Sequence, residues 1–282
     1  MNKKISGCTF ASRSRFLPLR KLGKGGYGTV FLFKRVSSGT LHAVKLIPDA
    51  RCKRKTWCPK QQFWIPDEIM LTQDLDHRNL LNLDEVYFEQ NCWVLLMEYL
   101  PNYVDLFEYI AENGRMNEGD ARIILKQVVE VCNYLISKGI DHQDVKGENI
   151  LYNPVTKHIR LIDFGCASQI SDDRYSRLCG TKLYIPPEFY STGSYLALPA
   201  TTWALGCLAY VLLSGYRPFE TSRQITDCDS LASLLRNPCL SKGSRAFLRD
   251  LLEVDENKRI LPAFLCFHPW LRPRTLEESD FI

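Results

Sequence analysis

At 282 residues the chain is long enough for about two compact units, each with a buried core. Its 45% hydrophobic and 24% charged residues, with 16 Gly and 14 Pro scattered without a period, exclude a collagen-like or disordered chain. The formal net charge of +4 is too small to require a nucleic-acid or anionic-membrane partner, so any basic surface must be local.

Residues 16 to 36 and 40 to 47 alternate short apolar strands with turn residues, Ser37-Ser38-Gly39 forming a hairpin connection. Residues 51 to 62 are a basic, Trp-bearing insert (Arg51, Lys53, Arg54, Lys55, Lys60), expected to be a solvated loop. A short helical pattern over 66 to 75 and strand-like runs from Asn82 to Met97 complete a front part that is mostly sheet. After Pro101 the period becomes helical. Residues 104 to 112 form a helix ending at Gly114, and Asn117 caps residues 118 to 138, whose Ile124, Leu125, Val128, Cys132 and Leu135 share one face. Two strands flank Asn153-Pro154, and helical stretches follow at 201 to 214, 230 to 236 and 242 to 252. The composition changes near residues 99 to 103, and a cleft between a strand-rich and a helix-rich unit is the expected ligand site.

The eleven cysteines (Cys8, Cys52, Cys58, Cys92, Cys132, Cys166, Cys179, Cys207, Cys228, Cys239, Cys266) are odd in number and form no CxxC pair, which is the usage of a reducing compartment. Cys52 and Cys58 are the nearest approach to paired zinc ligands and read as ordinary thiols. No apolar core follows the basic opening at Met1, and the longest apolar run, 203 to 213, is too short to cross a bilayer. Cytoplasm and/or nucleus is the expectation, with no membrane partner.

Gly23-Lys24-Gly25-Gly26-Tyr27-Gly28-Thr29-Val30 is a GxGxxGxV match, in which missing side chains let backbone N–H groups approach a phosphate. A strand follows it instead of a helix, which disfavours a dinucleotide site, and the Lys of a Walker loop is missing before Thr29. A glycine-rich flap over phosphates remains. Ala43-Val44-Lys45 then brings an ammonium that could reach those phosphates if Glu68, in the front part's helical segment, held it. His142-Gln143-Asp144-Val145-Lys146-Gly147-Glu148-Asn149, followed by Asp163-Phe164-Gly165, supplies the remaining parts of phosphoryl transfer to a hydroxyl. Asp144 can orient the nucleophile and accept its proton, Lys146 can neutralise the moving phosphate, and Asn149 and Asp163 can hold magnesium.

On these motifs the chain resembles the eukaryotic protein kinases over about residues 16 to 272. The resemblance extends to Leu75-Asp76-His77-Arg78-Asn79-Leu80, to Gly180-Thr181 and Pro186-Pro187-Glu188, to Arg259 as the implied partner of Glu188, and to His268-Pro269-Trp270. Lys146 and Thr181 point to the serine/threonine branch. Within it the chain is most similar to the Pim family, by the hinge of residues 97 to 107, by Pro186-Pro187-Glu188, and by Thr201-Thr202-Trp203, which lacks the usual aspartate before the tryptophan. Per-Arnt-Sim kinases share that hinge length and remain the alternative.

The resemblance implies an α+β, bilobal protein-kinase fold: an N-terminal antiparallel sheet lobe with one main helix and a larger helical C-terminal lobe. The implied organisation is an extension (1–15), an N-lobe (16–98), a hinge (99–103), a C-lobe (104–272) and a tail (273–282). It implies ATP and Mg2+ as cofactors, with Lys45, Glu68, Asp144 and Lys146 catalytic, and Asn149 and Asp163 on the metal. The nucleotide site would comprise Leu22, Gly23, Lys24, Gly25, Gly26, Tyr27, Gly28, Val30, Ala43, Lys45, Met97, Glu98, Leu100, Asp105, Leu151 and Ile162. Asp105, Glu108, Glu148 and Thr181 would meet protein substrates carrying basic residues upstream of the target Ser or Thr, although Gly147 replaces one further acid. A monomer is expected, without nucleic acid. A pseudokinase scaffold is the alternative function.

Two further departures matter. Gln143 stands where most kinases have the arginine that pairs with a phosphorylated activation segment, so the segment is expected to work unphosphorylated. Leu100 stands where Pim relatives have proline and keeps an N–H that could donate to adenine. His142 and Cys166 are expected to be packing residues.

Overall fold

The computed structural model describes residues 5–6, 15–24, 28–52, 54–59 and 62–272. The flap residues Gly25, Gly26 and Tyr27, the insert residues Lys53 and Lys60, and the tail 273–282 lie outside the described residues, as does the side chain of Lys24. The chain divides into two compact units, residues 1–102 and 103–282.

Unit 1 contains strands β1 (Ile5–Ser6), β2 (Phe16–Lys24), β3 (Thr29–Arg35), β4 (Leu41–Pro48), β5 (Lys55–Cys58) and β6 (Phe63–Pro66), helix α1 (Asp67–Thr72), then β7 (Leu83–Glu89) and β8 (Cys92–Glu98). Six strands form one sheet in the order β1-β7-β8-β4-β3-β2. Every pairing in it is antiparallel except β1 with β7, where Ile5 lies opposite Val86. The N-terminal extension thus contributes an edge strand. The β2–β3 pair carries register irregularities near Pro18 and before Gly23.

Two buried clusters flank this sheet. One gathers Ile47, Cys58, Ile65, Ile69, Leu83, Val86, Trp93 and Leu95, and the other Phe16, Val44, Tyr87, Val94 and Leu96. The first corrects the expectation for the insert, which is not a solvated loop. β5 and β6 pair as an antiparallel hairpin with Trp57 opposite Trp64. The two indole rings meet edge to face at 5.8 Å on the outer side, while Cys58 and Ile65 turn into the core. A two-stranded ribbon gains its stability from such cross-strand pairs and from packing on a larger body, and here it has both.

Unit 2 holds β9 (Val104–Asp105), α2 (Leu106–Asn113), α3 (Glu118–Ser137), β10 (Ile140–Asp141), β11 (Ile150–Tyr152), β12 (Ile159–Leu161) and β13 (Ser168–Gln169). It continues with α4 (Pro187–Thr192), α5 (Ala197–Ser214), α6 (Ser222–Thr226), α7 (Cys228–Leu235), α8 (Lys242–Leu251) and α9 (Pro262–Leu265). The strands are short and make two ribbons, β12-β11-β9 and β10-β13. α3 begins as expected, with the Asn117 side chain accepting the Asp120 N–H at 2.9 Å. α5 is longer than the apolar run within it: its 18 residues are long and apolar enough to cross a bilayer by length and composition, but 94% of that span is buried inside the fold. It is the central core helix of the unit, with Trp203 stacked on Phe219 at 5.7 Å.

Candidate active site

In unit 1, register places Lys45 beside the strand that follows the flap. Val30 on β3 lies opposite Lys45 on β4, and Gly28 passes so close to β4 that a Cβ there would lie 2.4 Å from the Leu46 carbonyl oxygen. Only glycine fits that approach. Lys45 is 8% exposed and donates from Nζ to Glu68 Oε1 of α1. Lys45 sits opposite Leu95, whose cluster includes Ile69 of α1, which explains why its side chain faces that helix. Ala43 lies opposite Met97 across β4 and β8, and Leu22 and Val30 are half-buried. Glu98 is occupied structurally, its Oε1 accepting the Asn82 N–H at 2.8 Å, and Leu100 is half-buried in the segment after β8.

In unit 2 the loop after β10 collects the other predicted groups around Asp144. Asn149 Nδ2 donates to the Asp144 carbonyl at 2.8 Å and to its Oδ2 at 2.9 Å, and Lys146 Nζ lies 2.9 Å from Oδ2. Thr181 donates to Asp144 Oδ1 from both N–H and hydroxyl at 3.0 Å, and Lys146 donates to Thr181 Oγ1 at 2.6 Å. Gly180 makes this closure possible: at φ 84 it packs so tightly that a Cβ would fall 2.4 Å from the Gln143 carbonyl oxygen and 3.1 Å from Asp144 Oδ1. Asp163 adopts φ 63 at the end of the strand pair and accepts the Gly165 N–H at 3.3 Å. The neighbouring Ile162 N–H donates to the Asn149 carbonyl at 2.9 Å, which ties the two predicted metal ligands together through one strand pair. Leu151 sits opposite Asp105 and Arg160 in the same ribbon.

His142 and Cys166 pack as expected. His142 is 2% exposed, its Nε2 lies 3.1 Å from the Ile162 carbonyl, and its ring meets Phe164 edge to face. Burial lowers its pKa against the pull of Asp144.

The predicted substrate acids are not equivalent. Asp105 is the N-cap of α2, accepting the N–H groups of Phe107 at 2.8 Å and Glu108 at 3.1 Å, and burial raises its carboxyl above the usual range. Glu108 is exposed on α2. Glu148 Oε1 is 3.5 Å from Arg217, whose guanidinium also lies over the Phe107 ring at 5.0 Å, while the buried Glu148 Oε2 has no hydrogen-bond partner among the described residues. Gly147 sits tightly against α2: a Cβ there would meet Phe107 Cβ at 3.1 Å, so a further acid at this position would require Phe107 to give by a few tenths of an ångström. No local pattern in the sequence marks Arg217, which is 69 residues from Glu148.

The activation segment is held by groups the chain already has. Gln143 Nε2 donates to Ser168 Oγ, and Tyr175 pairs with Tyr195 through two backbone hydrogen bonds at 2.8 and 3.1 Å. Arg174 reaches both Glu256 oxygens, at 2.7 and 3.1 Å. Beyond it, Arg259 pairs with both oxygens of Glu188 at 2.9 and 2.8 Å, in a buried contact.

Comparison with known proteins agrees with this geometry. Residues 16–271 match the family model of the protein kinase domain. The chain is 33% identical over 268 residues to the serine/threonine-protein kinase pim-2 of Danio rerio, covering 92% of this chain and 85% of that protein. It is 31% identical to the serine/threonine-protein kinase prk-2 of Caenorhabditis elegans and 33% identical to the NUAK family SNF1-like kinase 2 of Rattus norvegicus. Those matches cover 91% and 92% of this chain, but 58% and 40% of the two relatives. A sheet-built unit pairing Lys45 with Glu68, a helical unit gathering Lys146, Asn149 and Thr181 on Asp144, and a family match spanning both make this chain a member of the protein kinase family, a protein serine/threonine kinase similar to Pim kinases.

Proposed function

We propose that the chain transfers the γ-phosphoryl group of MgATP to Ser or Thr hydroxyls in substrates with upstream Arg or Lys, and that it does so without phosphorylation of its activation segment. Membership of the family implies ATP and a divalent metal. The donor chemistry fits Mg2+: Asn149 and Asp163 offer hard oxygens, and Asn149 commits its amide nitrogen to Asp144, so the amide oxygen is the end available to a cation. When bound, the ion would neutralise charge on the phosphates.

The cluster on Asp144 carries this reading. A carboxylate held by Lys146, Asn149 and Thr181 suits a group that takes the proton from the attacking hydroxyl, with Lys146 beside it to stabilise the moving phosphoryl charge. Lys45, fixed by Glu68, orients the phosphates. Independence from phosphorylation is supported by Arg174–Glu256, Tyr175–Tyr195 and Gln143–Ser168, all uncharged by phosphate. Basic preference is supported by Glu148, which already accommodates one guanidinium.

Transfer of radiolabelled phosphate from ATP to an Arg-rich peptide, by protein treated with phosphatase, tests both halves. Activity should survive phosphatase and vanish in Asp163→Ala. Arg217→Ala should lower the KM for that peptide by about twofold to fivefold, the effect of one partly exposed ion pair, and Glu148→Ala should raise it. Loss of turnover on dephosphorylation would refute phosphorylation independence; an unchanged ranking of basic over neutral peptides in Glu148→Ala would refute the role of Glu148.

A further inference from the structure

The strand leading into the catalytic loop ends in a carboxylate that the transfer reaction does not use. Asp141, at the end of β10, is 4% exposed. Its Oδ1 accepts the Gln143 N–H at 3.3 Å and the Thr201 hydroxyl at 3.2 Å. Thr201 belongs to α5, the core helix of unit 2. Gln143 stands at φ 60, a left-handed conformation that side-chain-bearing residues seldom adopt and that persists only when its surroundings fix it.

We propose that Asp141 is the positioning residue for Asp144: anchored on α5 through Thr201, its carboxylate holds the Gln143 peptide in the one conformation that presents the Asp144 side chain to Lys146, Asn149 and Thr181. The inference rests on the reading of Asp144 as the proton acceptor. Gln143 immediately precedes Asp144, so a rotation of its backbone swings the catalytic side chain. Contacts on three sides hold that residue: the Ser168 and Tyr175 hydroxyls on its side chain, Gly180 packed against its carbonyl, and Asp141 on its N–H. The first two come from the activation segment, whereas the third leads to the rigid core. α5 offers Thr201-Thr202 ahead of Trp203, without an acid of its own, so the acceptor for this N–H comes from the loop's own strand.

That arrangement predicts a transposition. A small cavity of about 30 Å³ borders Asp141, Thr201 and Ala204, leaving room for a longer side chain at Thr201. With the full chain, ATP and an Arg-rich peptide, Asp141→Val should lower kcat by about 10-fold to 100-fold with the KM for ATP unchanged within about twofold, the pattern of a misplaced catalytic group. Asp141→Asn, which keeps an acceptor oxygen, should stay within about threefold of the parent. Adding Thr201→Asp to Asp141→Val returns a carboxylate from the helix side and should recover at least about 10-fold in kcat. A merely structural role would not be relieved by that transposition. Asp141→Val with parental kcat, or a kcat loss that Thr201→Asp leaves untouched, overturns the proposal. If Asp141→Val fails to fold by circular dichroism, the isosteric Thr201→Val decides: a kcat lower by at least about threefold supports the proposal and a kcat closer to the parent overturns it. Asp144→Asn separates the two readings. If it remains active, the assignment of Asp144 itself is wrong; if it is dead while Asp141→Val is fully active, only the positioning role falls.

Discussion

Single residues show where geometry outruns pattern. Asp144, Asn149 and Asp163 were legible because their chemistry and close spacing occur together, but nothing local announces that Gly180 must lack a side chain, since the atoms it would strike belong to Gln143 and Asp144. Asp141 is a similar case, and it has a thermodynamic consequence. Burial pushes its carboxyl up from 3.8 to about 7, against the hydrogen bonds from Gln143 and Thr201; Cys179 also faces it, as do Cys132 of α3 and the phenols of Tyr175 and Tyr195. The folded state therefore binds this proton more tightly than the unfolded chain does. Stability linked to the group is fullest near the ordinary carboxylate range and is lost as pH rises toward about 7. Asp141→Asn has no proton to lose. Its melting temperature relative to the parent should climb between pH 5 and pH 8, measured by thermal denaturation at fixed ionic strength; a difference that stays flat with pH would contradict a buried acid of this kind.

Among the elements, segments with a sustained period are legible, and of the helices of six residues or fewer only α1 is, inside the pattern over 66 to 75. α3 has an apolar face and α5 a continuous apolar run long enough to declare themselves, whereas α4, α6 and α9 have four to six residues each and owe their helical form to packing rather than to pattern. The β5–β6 hairpin was missed for a different reason. Its basic residues suggest solvent, yet the alternation that matters turns Cys58, Phe63 and Ile65 toward the core, with Trp57 and Trp64 outward as a mutual pair. The ribbon runs directly through Pro66 into α1, which carries Glu68, so its packing supports the partner of Lys45. Ile65 is fully buried, and Ile65→Ala should destabilise unit 1 by about 2 to 5 kcal/mol, where a solvated loop would give less than about 0.5 kcal/mol. Urea denaturation followed by far-UV circular dichroism reads the loss, and activity should fall as Glu68 loses its support.

For the whole molecule, the two-unit organisation followed from a change of hydrophobic period, but the ties that join distant segments did not. Arg259 is the clearest of these. It was paired with Glu188 by family resemblance alone, since the two are 71 residues apart and no spacing rule connects them. The guanidinium gathers three segments of unit 2: it donates to Glu188 on α4, to the Pro199 carbonyl on α5, and to the Glu253 and Val254 carbonyls after α8, while lying over the Trp203 ring of α5 at 5.0 Å. Both partners are buried, so the desolvation cost of the charges is offset by multiple hydrogen bonds, and removing one partner leaves the other charge stranded. Arg259→Met should therefore destabilise the protein by about 3 to 5 kcal/mol. Glu188→Gln combined with Arg259→Met removes both charges, and should be less damaging than the sum of the two single changes, because the stranded carboxylate is gone. Chemical denaturation of the four proteins completes a double-mutant cycle. Strict additivity would show that the pair is a bystander and that the hydrogen bonds to carbonyls alone hold these segments together.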